Sequence, residues 1–185
     1  MVINRDREKL INAIIFFRNN TKNLGKIKLF KLLYFLDFEH FKQTGRSVTG
    51  LSYSAWPMGP VPKDLFEEIQ SPKEDISRAI GFSEKQIQPD RPPMLVITPL
   101  TEFSDTHFTK RELRLMRGLA EEYFGARAED MVEATHLENM PWDQIYNKQN
   151  KPQHLIPYTL AIRRDEMDRM GRVIEEREAL MRSLG

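Results

Sequence analysis

The sequence contains no cysteine in 185 residues. That absence excludes disulfides, thiolate metal sites and cysteine nucleophiles together, and it fits a reducing compartment. Glycine is sparse, nine in all, and none falls in the spacing that cradles a phosphate or a dinucleotide. No GxSxG element marks a hydrolase nucleophile. No apolar run approaches the ~18 residues that a membrane span requires. The stretch Met1 to Glu8 mixes acids with bases and has no signal-peptide core followed by a cleavage site. These absences predict a cytoplasmic protein with no membrane partner and no cofactor. Net charge is only +1, so nothing global draws the chain to nucleic acid.

What is present suits a globular chain. Hydrophobic residues make up 40% and charged residues 30%, and this length can bury a substantial core. Positive charge gathers early, where Lys22, Lys26, Lys28 and Lys31 lie close together. Such a cluster reads either as a phosphate-facing patch or as a solvated helix start.

Apolar periodicity predicts a helix over residues 5–18, with Leu10, Ile14 and Phe17 on one face. A second helix, over 26–43, is apolar nearly all round and must be covered on most sides. Only a narrow polar strip remains along it, holding Lys28, Lys31, Glu39 and Lys42. Alternation suggests an extended segment over 47–56, and short helices follow over 62–70 and 72–80, the latter opened by Ser71-Pro72. Residues 82–93 read as an exposed loop. Met94 to Thr98 is a strand candidate, expected to pair before Trp56 or with 100–103. Thr109 and Glu112 have capping-box spacing for a helix ending near Gly125. Another helix is expected over 127–137, a turn at Pro141-Trp142, and an extended connection at Leu155–Tyr158.

The fold class expected is therefore mainly α (α+β): a compact helical domain around a central buried helix, with a small β-hairpin or short sheet. Residues 1–162 form that domain. Residues 163–185 form a charged C-terminal helix whose thin stripe of Met167, Met170, Ile174 and Met181 either closes the core or meets a partner. Acid-before-base pairs at Asp165–Arg169, Asp168–Arg172 and Glu178–Arg182 favour helix there.

Two local signatures stand out. Ala55-Trp56-Pro57-Met58-Gly59-Pro60-Val61-Pro62 fixes one backbone path by its prolines and glycine, and serves as a packed corner, a presented recognition loop, or both. His136, Glu138 and Asp143 are the one cluster able to carry metal or acid–base chemistry. Their spacing matches no metal motif, and His136 also suits a helix end or a hydrogen bond to the Trp56 turn.

Taken in order, these pieces resemble the Panacea, or SocA-like, antitoxin domain. Lys31-Leu32-Leu33-Tyr34-Phe35 resembles its K-L-L-Y-F element, and Thr44-Gly45-Arg46 the step after it. Trp56 with Gly59-Pro60-Val61 resembles W-x-x-G-P-V, with Leu65 and Phe66 following. Thr135-His136 and Pro141-Trp142 resemble the late histidine–tryptophan element, so the likeness spans about residues 8–162. The resemblance implies a non-enzymatic antitoxin that neutralises a cognate protein toxin by direct binding. A second role known in the family is that of an adaptor delivering the toxin to a ClpXP-type protease. A third alternative, from the residues alone, is an enzyme around His136 and Glu138. The resemblance gives Lys31, Leu32, Tyr34, Phe35, Trp56, Gly59, Pro60, Val61, His136 and Trp142 a scaffold role. Partner choice falls to the loops at 82–93 and 147–155 and to Met167, Met170, Ile174 and Met181.

Overall fold

The computed structural model describes residues 5–137, 140–162 and 166–184. Its architecture is mainly helical, with two small antiparallel hairpins. Helix α1 (Asp6–Asn20) and helix α2 (Lys26–Thr44) supply most of the core. Burying Ile14, Phe17, Leu29, Leu32, Leu33 and Leu36 completely stabilises the fold by roughly 1.5–3 kcal/mol per side chain before entropy is counted. α2 touches α1, two later helices, the first hairpin and a late 3-10 turn, which is the all-round covering its composition demands. It stops at Gly45, left-handed at φ 71°, whose N–H donates to the Phe41 carbonyl.

The lysines on α2 depart from the polar strip expected of them. Lys28 and Lys31 are each 1% exposed. The Lys28 ammonium donates to the carbonyls of Lys22, Phe124 and Ala126 at 2.8–3.1 Å. A long aliphatic stem lets a lysine lie in the core while carbonyls satisfy its head.

Strands β1 (Ser54–Trp56) and β2 (Gly59–Val61) form a hairpin across Pro57-Met58. The extended segment expected over 47–56 is strand only at its end. Residues 48–53 are instead held by the Asp37 side chain of α2, described below. Chain from the late connection runs beside β1: Ala55 N–H donates to His154 O and Ile156 N–H to Tyr53 O, both at 2.8 Å.

Helix α3 (Lys63–Gln70) follows the hairpin. Helix α4 (Glu74–Ala79) starts two residues after Pro72, because Lys73 takes the cap position in extended backbone. Arg7 of α1 ties both down, bonding Glu68 and lying 2.6 Å from Asp75. The first third of the loop expected over 82–93 is strand. β3 (Ile80–Lys85) pairs in full with β4 (Met94–Pro99), from Ile80↔Pro99 to Lys85↔Met94. That is neither pairing expected of β4. The outer part of β3 is exposed on both faces, so no polar–apolar alternation marks it in sequence.

Helix α5 (Lys110–Glu122) carries the expected capping box between Thr109 and Glu112. Glu112 also pairs with Lys9 of α1 at 2.7 Å, both side chains being buried. Helix α6 (Ala128–Thr135) ends at His136. The three-residue helix α7 (Pro141–Asp143) runs into a π-helical turn over Gln144–Lys148, and a 3-10 turn spans Tyr158–Ala161. Helix α8 (Met167–Leu184) closes the description. Of its expected acid–base pairs, those using Asp165, Asp168 and Arg169 lie outside the described side chains. Arg182 turns to the Glu178 backbone carbonyl at 3.3 Å. Among the described residues, no helix is long and apolar enough to cross a membrane.

Candidate functional site

The hairpin sits on α2 because the Lys31 side chain rises into its turn. Lys31 Nζ donates to the Pro60 carbonyl at 2.8 Å. Gly59, at φ 98°, lies directly over the ammonium; a Cβ there would stand 2.8 Å from Lys31 Nζ and 2.7 Å from Thr135 Oγ1. Only glycine satisfies both the backbone and the space. Burial pushes the Lys31 ammonium down to about 7, since taking a charge out of water disfavours the charged form.

Trp142, 3% exposed, closes the arrangement from the other side. Its Nε1 donates to the Trp56 carbonyl at 2.8 Å. Its ring is sandwiched, with His136 stacked at 3.7 Å on one side and Tyr146 at 4.6 Å on the other. Trp56 packs on Phe66 of α3, centroids 5.2 Å apart. Tyr34 is buried one turn beyond Lys31, and burial raises its phenol well above the ordinary value; its oxygen is turned toward the Trp142 backbone. Leu32 and Val61 are buried, and Phe35 stacks on Tyr123 at 5.4 Å. Lys31, Tyr34, Trp56, Gly59, Pro60, Val61, His136 and Trp142 thus meet in one buried clasp joining α2, the hairpin and the α6–α7 junction, while Phe35 faces α5.

Of the other cluster, His136 and Asp143 fall within the described residues. His136 lies flat against Trp142, and its Nε2 is buried without a hydrogen bond among the described residues. Burial, then the neighbouring Lys31 charge, hold its imidazole below the ordinary value against the pull of Asp143. Asp143 accepts from Asn147 at 2.7 Å and lies 3.9 Å from Lys148. Glu138 lies outside the described residues. Among the described residues, no group of three or more His, Asp or Glu could hold a metal ion.

The early lysines do not form a phosphate-facing patch. Lys28 and Lys31 are committed to carbonyls, while the Lys22 and Lys26 ammoniums lie over the Phe124 and Phe66 rings at 5.2 and 5.1 Å. On α8, Met170 is buried and packs with Ile174 against Gly45, whereas Met167 and Met181 are exposed.

One residue outside the motif proves central. Asp37, fully buried on α2, accepts hydrogen bonds from the Val48 and Thr49 amides at 2.8 Å, from the Thr49 hydroxyl, and from Tyr53 Oη at 2.7 Å. Burial pushes its carboxyl up to about 6 despite these donors. Its signal in the sequence is an acid set between Leu36 and Phe38 on an otherwise apolar face.

The family model for the SocA-like antitoxin, Panacea domain, matches residues 29–143. The chain belongs to this family. The Panacea match takes in α2 from Leu29 onward, both hairpins and the clasp from Lys31 to Trp142, with α1 and α8 lying outside it. It is shorter at both ends than the 8–162 expected. No curated protein and no solved structure gives a match.

Proposed function

We propose that this chain is an antitoxin that neutralises a cognate protein toxin in the cytoplasm by direct protein–protein binding. Membership of the SocA-like antitoxin family supports the antitoxin role. One observation carries the binding reading: two motif side chains spend their polar groups on the motif's own backbone, Lys31 on the Pro60 carbonyl and Trp142 on the Trp56 carbonyl. A shared motif used internally leaves recognition to the exterior, where related chains are free to differ. The exposed stripe of α8, with Met167 and Met181 alongside Leu180, is one such surface. Met170 and Ile174 act from beneath, seating that helix on Gly45.

The test is co-expression with the protein encoded by the adjacent gene. Rescue of growth together with a stoichiometric complex in gel filtration is expected. Rescue that disappears in a ClpXP-null host would move the assignment to the adaptor role. Absence of any complex with intact rescue would sink direct neutralisation.

A further inference from the structure

A cleft of about 690 Å³ opens between α2, α5 and the α7 region. Phe35, Phe38, Leu115, Leu119 and Met140 give it an apolar floor, and Leu160 to Ile162 close one side. α2 and α5 run antiparallel along it: Gln43 meets Arg111 at one end, and Phe35 stacks on Tyr123 at the other. The charges on the rim are unevenly placed. Lys42 and Arg114 stand together at the first end, and Glu122 at the second. Neither cation makes an ion pair among the described residues, while Glu39 between them accepts from Gln43 at 3.1 Å.

A second, independent observation points outward. Gly118 sits in the middle of α5 on the cleft wall, and a Cβ built there would touch nothing within 4 Å. Its backbone is helical, so no positive φ calls for glycine. Mid-helix glycine destabilises relative to alanine, and nothing among the described residues explains the choice. Close approach of an external backbone does explain it.

We infer that this cleft is the docking groove for a short amphipathic helix of the toxin, which lays its apolar face on Phe35, Phe38 and Leu115 and its backbone against Gly118. The assignment rests on the antitoxin reading above. The wall from Arg114 to Tyr123 is about 14 Å long at about 1.5 Å per residue, which suits two to three helical turns. The rim sets the direction of the guest. Its C-terminal end, carrying the negative pole of the helix dipole and acidic side chains, lies at Lys42 and Arg114; its N-terminal end lies at Glu122.

The experiment measures affinity for the adjacent-gene protein by calorimetry, with the thermal midpoint of each variant recorded alone. Gly118→Leu fills the groove wall without a clash inside the molecule. It is expected to weaken binding at least tenfold while the midpoint holds or rises. The double variant Lys42→Glu/Arg114→Glu is expected to do the same. Among overlapping 15-residue peptides of the partner, the one that binds should be amphipathic with acids toward its C-terminus. Full affinity in both variants beside a binding wild type would overturn the groove and leave the antitoxin reading standing. A wild type that binds nothing would overturn both. If Gly118→Leu instead abolishes self-association of this chain, the groove belongs to a second copy and the assignment is wrong.

Discussion

The Trp142 indole donates to the Trp56 carbonyl at 2.8 Å, joining positions 86 residues apart. This contact seals the hairpin over Lys31. Trp142 is buried, so its indole N–H has little water to turn to once the carbonyl is lost.

Trp142→Phe keeps an aromatic ring between His136 and Tyr146 but removes the donor. A loss of about 1–3 kcal/mol is expected from the orphaned carbonyl, and about 3–5 kcal/mol for Trp142→Ala, which also empties the stack. Urea denaturation measures both. Equal losses in the two variants would mean that the ring alone matters.

Gly59→Ala meets two obstacles. The φ of 98° strains any side chain, and the new Cβ must displace the Lys31 head and the Thr135 hydroxyl. A cost of about 3 kcal/mol or more is expected from strain plus overpacking. A denaturation midpoint within error of the wild type would show that the turn relaxes freely.

Lys31 gives stability a pH dependence. Its ammonium has an ordinary value of 10.5 and is pushed to about 7 in the fold. Between those values the unfolded chain holds more protons, so stability rises with pH. The contribution is complete above about 10.5 and is lost as pH falls through about 7. From pH 6.5 to 9.5 the wild type should gain on the order of 2–4 kcal/mol relative to Lys31→Met. Parallel stability curves for the two proteins would refute the buried ammonium as the source.

Asp37 acts in the opposite sense. Its carboxyl rises from 3.8 to about 6 on folding, so its contribution is complete below about 3.8 and is lost as pH rises through about 6. Asp37→Asn should flatten this limb while still accepting the Val48 and Thr49 amides. Asp37→Ala orphans those amides and Tyr53 together, and a loss of about 3–5 kcal/mol is expected at pH 7. If alanine is tolerated as well as asparagine, the 48–53 segment has another anchor.

His136→Phe separates packing from chemistry. The stack on Trp142 survives and the unpaired Nε2 disappears, so stability within about 1 kcal/mol of the wild type and full toxin rescue are expected. Lost rescue in a folded His136→Phe protein would favour an enzyme built around this histidine.

Most helices were legible in the sequence, and so was the capping box at Thr109 and Glu112, because period and cap chemistry are local. The clasp was legible as a set of positions but not as contacts. Lys28 and Lys31 read as a polar strip because a lysine counts as polar in any periodicity, whereas its stem packs like leucine once carbonyls meet its head. β3 was hidden for another reason. Glu84 and Lys85 pair with Leu95 and Met94 through the backbone alone, and backbone pairing leaves no mark on side-chain pattern. Gly118 is invisible as a feature until the space around it is known.

The clasp draws on α2, on residues 56–60, and on a ring that arrives only at position 142. During synthesis the first two exist long before the third emerges, and closing so long a loop is entropically slow. A ribosome must therefore read past residue 142 before the hairpin can be capped. Premature termination ahead of residue 142 yields a chain whose hairpin lies on Lys31 without the indole that caps it.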